Sequence, residues 1–238
     1  MTAQKPIWLF LDFDNTMMGT EKLAMPSLIK RFNDLYAEKI GREFTLEEFF
    51  EHFQGQAREV LCHNLSEYFK IHVDYPVLFA NREWSMMQYM QQEGVPMASN
   101  LIEALTELQQ QNIRLAFASN NMIQRCLSAM RYATNGKGEE LARFFGTNYF
   151  ESGQIQKPDP DIYLRAIAQT EADVTRSFAI EDSPTGARAA LAAGLKTFGY
   201  LGYAEHQEAR EKELLNLGVT ACFSDWKDFP ALLKTYLN

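Results

Sequence analysis

A run of apolar residues near the amino terminus constrains the fold of this chain more than any other feature. Residues 7–11, Ile-Trp-Leu-Phe-Leu, are followed at once by Asp12, Phe13 and Asp14. A short apolar run bounded by polar residues is typical of a strand buried in the middle of a parallel sheet. Such sheets bind ligands outside the carboxyl ends of their strands, and side chains alternate along an extended chain. We therefore expect Asp12 and Asp14 to face one spot at the edge of a sheet.

Two carboxylates held at one spot predict a cation between them. Like charges repel, so ionising both groups is costly unless a cation offsets them. Oxygen ligands of this kind suit Mg²⁺, particularly where a phosphate completes the coordination shell. A strand end whose acids point into water is the alternative, and this segment alone does not decide between the two.

The chain after residue 94 alternates predicted strands with predicted helices. Segments 113–118, 177–180, 196–200 and 220–223 are predicted to form strands, and apolar residues at helical spacing lie between them. Alternation of this kind indicates an α/β fold with a doubly wound parallel sheet.

Local signals mark several helix boundaries in this part of the chain. Asn100, with Glu103 three residues on, predicts a capping box, and residues 119–121 predict the start of the helix after the second strand. The pair Ser183–Pro184 predicts another helix start. Gly194 predicts the end of that helix, because glycine adopts left-handed backbone without steric cost.

Residues 17–93 have a different composition from the rest of the chain. They are rich in Phe, Tyr, Met, Glu and Lys at helix-like spacings, with few β-branched residues. We therefore predict two domains, an α/β core of residues 1–16 and 94–238 and a small helical domain of residues 17–93 inserted into it. An aromatic group is expected in the core of this insert, with a substrate platform as the alternative: Phe44, Phe49, Phe50 and Phe53.

Charge and cysteine content argue against several classes of protein. The 23 basic and 31 acidic residues give a formal net charge of −8, without the basic cluster that binds nucleic acid. No apolar run approaches the ~18 residues of a membrane span, and the run at 7–11 is shorter than the ~7–15 residues of a signal-peptide core. The three cysteines are far apart and odd in number, which favours neither a disulfide framework nor a metal site. We expect a cytoplasmic protein without nucleic-acid or membrane partners.

Polar residues also follow two later strands of the predicted sheet. Ser119 and Asn120 come after the second strand, and Glu181 and Asp182 come after the third. Lys157 lies in a proline-rich loop. Taken singly, these are explained by helix caps, a solvated lysine and acids at a helix start. Their joint occurrence with the first acid pair, at matching ends of one sheet, predicts a single site.

Four motifs resemble those of the haloacid dehalogenase superfamily, and within it the phosphatases and phosphomutases that carry a small helical cap. The motifs are DFDNT at 12–16, Ser119, Lys157 in KPDP, and EDSPTGARAALAAG at 181–194. Many members have glycine where this chain has Asn15. The resemblance extends from residue 9 to residue 200, and it implies a Rossmann-like core with a helical cap.

The resemblance implies a two-step phosphoryl transfer. Asp12 would be the nucleophile that forms a phosphoaspartyl intermediate. Asp14 would be the acid that protonates the leaving oxygen and then the base that activates water. The cofactor would be Mg²⁺, held by Asp12, the backbone carbonyl of Asp14 and Asp182. Glu181 would be a further ligand or an outer-shell partner.

Other residues are assigned to the phosphate by the same resemblance. Ser119 and the amide at Asn120 would bind phosphoryl oxygens at a helix N-terminus. Lys157 would offset the clustered acids. Thr16 would support Asp14 or a phosphate oxygen.

Three positions bear on the reaction and the substrate. Dehalogenases generally lack an acid at the place of Asp14, which favours ester hydrolysis or mutase chemistry here. Enzymes similar to β-phosphoglucomutase have a histidine ten residues after the second acid, where this chain has Ala24, and this difference favours a phosphatase. Arg58 matches a basic, substrate-contacting residue of the family's cap loop, with a solvated helix residue as the alternative.

These patterns together predict a magnesium-dependent phosphatase acting on a small phosphorylated metabolite, such as a sugar phosphate or phosphoglycolate. A phosphomutase is the main alternative. A non-catalytic protein that binds a phosphorylated ligand is a further one. The sequence leaves the individual substrate and the oligomeric state open.

Overall fold

A computed structural model describes residues 6–53 and 58–237, without the side chains of residues 58 and 59. The chain divides into two compact units, one formed by Met1–Thr20 with Gly94–Asn238 and the other by Glu21–Glu93. Among the described residues, no helix combines the length and apolar character needed to cross a membrane.

The unit Glu21–Glu93 is built from helices around an aromatic core. The ring of Phe44 packs edge-on against those of Phe49 and Phe53, and all three are buried, which confirms their predicted place in the core. Phe50 is 45% exposed, so its predicted burial is wrong. Consecutive helical side chains point in different directions, and only those three or four apart share a face. The helices are α1 (Glu21–Ile40), α2 (Leu46–His52), α3 (Arg58–Phe69), α4 (Tyr75–Phe79) and α5 (Arg82–Glu93).

The described residues of the other unit form a sheet of parallel strands in the order β3-β2-β1-β4-β5-β6. Successive strands are added on one side of β1 and then on the other, which confirms the predicted doubly wound sheet. The strands are β1 (Ile7–Leu11), β2 (Ile113–Ser119), β3 (Tyr149–Glu151), β4 (Phe178–Glu181), β5 (Lys196–Tyr200) and β6 (Ala221–Phe223).

Strand β1 is central, and the register of its neighbours brings their carboxyl ends together. Leu11, the last residue of β1, is level with Phe117 of β2 and with Ile180 of β4. The backbone N–H of Asp12 donates to the carbonyl of Ile180 at 3.0 Å, which extends this alignment past the end of the strand. The polar residues at or just after the ends of these three strands therefore lie at one edge of the sheet.

Helices of the same unit connect the strands. The predicted boundaries of one of them, the helix from Pro184 to Ala192, are confirmed. Oγ of Ser183 accepts the N–H of Gly186 at 3.2 Å, and Gly194 has a φ of +85°. The helices are α6 (Leu101–Gln110), α7 (Ile123–Arg131), α8 (Gly138–Arg143), α9 (Asp161–Thr170), α10 (Pro184–Ala192), α11 (Gln207–Asn216) and α12 (Phe229–Lys234).

Two predicted helix starts are corrected. Helix α6 begins after Asn100 as expected, but the Asn100 side chain donates to Oδ1 of Asp225 at 2.8 Å and makes no capping bond. Helix α7 begins at Ile123 rather than within residues 119–121. Its first N–H is satisfied by a carboxylate from β3, since Oε2 of Glu151 accepts the N–H of Ile123 at 2.6 Å.

Candidate active site

A buried lysine joins two carboxylates at the carboxyl edge of the sheet. Nζ of Lys157 donates to Oδ1 of Asp12 at 2.6 Å, to Oε1 of Glu181 at 2.7 Å and to the carbonyl of Ala118 at 2.9 Å. An ammonium group has three N–H bonds, and each of them has an acceptor here. Only 3% of the lysine side chain is exposed. Lys157 is therefore a fixed positive charge between two acids that were predicted to share its site.

Three carboxylates form a candidate metal centre. One oxygen from each of Asp12, Glu181 and Asp182 lies within 4.8 Å of the other two. An all-oxygen set of this kind is what Mg²⁺ prefers in proteins. Oε2 of Glu181 is buried and has no hydrogen-bond partner among the described residues. Since a buried carboxylate oxygen without a partner is costly, these residues fit the predicted cation.

Burial and charge act strongly on the ionisation of this cluster. Burial, followed by the negative charge of Glu181, raises the pKa of Asp12 to about 8, against the opposing effect of Lys157. Burial lowers the pKa of Lys157, but the carboxylates of Asp12 and Glu181 outweigh it and hold that pKa well above its ordinary value. The lysine is thus charged at neutral pH, and one lysine does not offset all the acids around it.

The second oxygen of Asp12 is bound by Thr16. The Thr16 hydroxyl donates to Oδ2 of Asp12 at 3.1 Å, and not to Asp14 as one of its predicted roles required. Asn15, which has a φ of +53°, reverses the chain, and the N–H groups of Met17 and Met18 bond the carbonyl of Phe13. This turn places Thr16 beside the first acid. A contact between Thr16 and phosphate stays a prediction.

Asp14 is held by hydroxyl and amide groups from both sides. Its Oδ1 accepts a hydrogen bond from the hydroxyl of Thr20. Its Oδ2 accepts from Nδ2 of Asn121 at 2.6 Å and from Oγ of Ser119 at 3.4 Å. The structure therefore brings Asp14 next to Ser119, the residue predicted to bind phosphate. Thr20 and Asn121 were not among the predicted site residues. The sequence position of Asn121 also suits a helix cap.

The side chain of Asn120 holds the loop that carries Lys157. Its Oδ1 accepts from the N–H of Lys157 at 2.9 Å and from Oγ of Ser152 at 2.7 Å, and its Nδ2 donates to the carbonyl of Lys157 at 3.5 Å. This contact fixes the base of the lysine side chain. The predicted phosphate contact of Asn120 involves its backbone amide, and it stays a prediction.

Two residues that sequence reasoning missed complete the surroundings of Glu181. The buried hydroxyl of Tyr163 donates to Oε1 of Glu181. A Cβ atom at Gly186 would lie 1.9 Å from Oε2 of the same residue, so only glycine leaves room for it. Two features of the sequence could have indicated these residues. Tyr163 lies in the first turn of the helix after Lys157, and Gly186 is a glycine inside a predicted helix.

Arg58 belongs to the other compact unit, at the start of α3. Its side chain and the preceding residues 54–57 lie outside the described part of the chain. The predicted contact between Arg58 and a substrate is therefore untested.

Comparison with known proteins agrees with the motifs at the strand ends. A family model described as haloacid dehalogenase-like hydrolase matches residues 9–200. The chain belongs to this family, as its four motifs predicted.

Individual relatives are distant. CbbY from Cereibacter sphaeroides is 27% identical over 120 residues, which are 50% of this chain and about half of that protein, 51%. A putative β-phosphoglucomutase from Thermotoga maritima is 21% identical with a TM-score of 0.75, over 96% of this chain and 99% of that one. A haloacid dehalogenase family hydrolase from Deinococcus radiodurans, solved with bound phosphate and sodium, is 24% identical with a TM-score of 0.71, over 98% of each chain. These two structures share the fold of this protein.

Proposed function

We propose that the protein is a magnesium-dependent phosphatase that hydrolyses a small phosphorylated metabolite through a phosphoaspartyl intermediate. One observation carries the proposal. Asp12 lies at the end of the central strand between Lys157 and two further acids, and Asp14 lies beside it in contact with Ser119. A nucleophile, a positive charge, a candidate metal centre and a second acid are thus within one site.

The first step transfers the phosphoryl group to the protein. A carboxylate oxygen of Asp12 forms a bond to phosphorus while the ester P–O bond breaks. The electron pair of that bond stays on the leaving oxygen, which takes a proton from the Asp14 carboxyl group. Thr16 and Lys157, which donate to the two oxygens of Asp12, orient the nucleophile.

The second step releases phosphate. The Asp14 carboxylate takes a proton from water, the water oxygen bonds to phosphorus, and the bond between phosphorus and Asp12 breaks. Asp14 ends protonated and Asp12 ionised, so both are ready for another cycle.

The metal would be held by Asp12, Asp182 and the backbone carbonyl of Asp14, with Glu181 as a further ligand. When bound, Mg²⁺ supplies positive charge that allows an anionic nucleophile to approach an anionic phosphate. The unpartnered Oε2 of Glu181 supports its place among the ligands.

The substrate we propose is a sugar phosphate or a compound of the phosphoglycolate type. The bound phosphate of the Deinococcus radiodurans relative supports a phosphorylated ligand. We further propose that Glu21–Glu93 acts as the cap that selects the leaving group.

Phosphate release from 4-nitrophenyl phosphate tests the proposal. We expect release by the purified protein with Mg²⁺, little after chelation, and none from Asp12→Asn, since an amide cannot act as the anionic nucleophile. Absence of release from the unmodified protein with Mg²⁺, on this ester and on a panel of phosphorylated metabolites, would favour the non-catalytic alternative.

A phosphomutase is the second candidate, supported by the fold shared with the putative β-phosphoglucomutase of Thermotoga maritima. Asp14 suits both reactions. Ala24, in place of the family's histidine, favours hydrolysis.

A further inference from the structure

The side chain of Asn121 connects Asp14 to helix α7. Its Nδ2 donates to Oδ2 of Asp14 at 2.6 Å, and its Oδ1 accepts from a guanidinium N–H of Arg125 at 3.0 Å. Its backbone N–H donates to Oγ of Ser119 at 3.0 Å. Asn121 is therefore fixed by its own backbone and by a residue one helical turn further on.

The contact with Arg125 determines which way the amide group faces. A guanidinium group has only donors, so it must meet the oxygen of the Asn121 amide. The NH₂ group then faces Asp14. The 2.6 Å contact is thus an N–H donated to a carboxylate oxygen, a charge-assisted bond of the stronger kind.

This bond makes the two oxygens of Asp14 unequal. The near contact of Oδ2, at 2.6 Å, is with an NH₂ group that can only donate, whereas the Ser119 hydroxyl lies further away at 3.4 Å. A proton on Oδ2 would point against the shorter of these contacts. Oδ1 faces the hydroxyl of Thr20, and a hydroxyl can donate or accept. Oδ1 is the oxygen at which Asp14 can hold a proton without losing its hydrogen bond.

We propose that Asn121 is a positioning residue that fixes the orientation of the Asp14 carboxyl group for proton transfer to the leaving oxygen, and that Arg125 fixes Asn121. The inference rests on the proposed phosphatase function. It assigns a role to the second asparagine after Ser119, distinct from that of Asn120, which holds the Lys157 loop.

A pair of esters that differ in their need for an acid tests the role. Phenyl phosphate releases a basic phenolate and depends on protonation, whereas 4-nitrophenyl phosphate releases a stabilised anion and depends on it far less. The two esters have nearly the same shape. The value of kcat/KM reports formation of the phosphoaspartyl intermediate, the step in which Asp14 donates its proton.

The measured quantity is the ratio of kcat/KM for phenyl phosphate to kcat/KM for 4-nitrophenyl phosphate. We expect Asn121→Ala to lower this ratio by about tenfold or more, and Arg125→Met to lower it in the same direction. Gln124→Ala, at an exposed position of the same helix, should leave the ratio unchanged. A misfolded fraction reduces both rate constants equally, so it cancels in the ratio.

Two results separate this inference from the function on which it rests. If Asn121→Ala reduces both rate constants equally, or neither, the positioning role is wrong although the unmodified protein is a phosphatase. If the unmodified protein releases no phosphate from either ester or from the metabolite panel, the proposed function itself fails.

Discussion

Oδ1 of Asp12 and Nζ of Lys157 lie 2.6 Å apart, although the two residues are 145 positions apart in the chain. Both side chains are almost fully buried. The site therefore places charge in the interior of the protein, where it is expensive unless it is paired. Burial and the negative charge of Glu181 raise the pKa of Asp12 despite its contact with Lys157.

Asp12→Asn should stabilise the metal-free protein, and more so as the pH rises. The pKa of Asp12 is about 8 in the native state and near 3.8 when unperturbed. Between these values the native state retains a proton that the unfolded state has lost, so stability falls as the pH rises through this window. Asparagine does not titrate. In magnesium-free buffer, the Tm of the variant minus that of the unmodified protein should increase by at least about 2 °C from pH 5 to pH 8.

Added Mg²⁺ is the control for this prediction. Mg²⁺ that binds the native state stabilises that state. Added Mg²⁺ should therefore raise the Tm of the unmodified protein at pH 8 more than that of Asp12→Asn, which lacks one of the proposed carboxylate ligands. A Tm difference that is the same at pH 5 and pH 8 would contradict the assigned ionisation of Asp12.

Asp14→Asn should slow turnover severely but retain more Mg²⁺ affinity than Asp182→Asn. The proposed metal contact of Asp14 is its backbone carbonyl, which the substitution preserves, whereas the proposed contact of Asp182 is its side chain. Calorimetric titration with Mg²⁺ measures both affinities. Equal losses in the two variants would overturn this division of roles.

Gly186→Ala should destabilise the protein by about 1–3 kcal/mol and weaken Mg²⁺ binding. The added Cβ would lie 1.9 Å from Oε2 of Glu181, and that side chain is fixed by Lys157 and Tyr163. Chemical denaturation and magnesium titration measure the two effects. Gly153→Ala is the matched control, because no atom lies within 4 Å of its new Cβ. Wild-type behaviour of both variants would show that Glu181 can move freely.

Most of the sheet and the acids at its edge were predictable because local patterns determine them, but the three-residue strand β3 (Tyr149–Glu151) was not predicted. A buried apolar run followed by acids defines β1, and the same pattern with Glu181 defines β4. Contacts between distant segments were not predictable. Asn100 has the sequence of a capping residue, yet its partner is Asp225, and Asn121 looks like a helix cap until Asp14 and Arg125 are placed around it.

The protein should hydrolyse β-glucose 1-phosphate or leave it unchanged, without useful mutase activity. The reason is Ala24, which offers no imidazole at the position where the mutases have one. Incubation with catalytic glucose 1,6-bisphosphate, followed by assay of free phosphate and glucose 6-phosphate, measures both reactions. Rapid accumulation of glucose 6-phosphate would favour the phosphomutase.

Arg58→Ala should lower kcat/KM for the natural substrate by about ten- to a thousandfold. In its proposed role, the Arg58 guanidinium would bind an anionic or hydroxyl-bearing leaving group of the substrate. The loss on 4-nitrophenyl phosphate should be much smaller, since that ester offers the cap little to bind. Equal losses on both substrates, or no loss on either, would contradict the proposed contact between Arg58 and the substrate. Such a result would favour the alternative that Arg58 is a solvated helix residue.

Because β1 lies in the middle of the sheet, it can pair with its neighbours only after later segments of the chain have been synthesised. Its partners on either side, β2 and β4, begin at residues 113 and 178, so β1 is synthesised more than 100 residues before either strand with which it pairs. The intervening helices α1 to α5 lie in one continuous stretch with a core of their own. Because pairing between distant segments is slow, we expect the helical segment to fold first and the nucleophile to be positioned among the last steps.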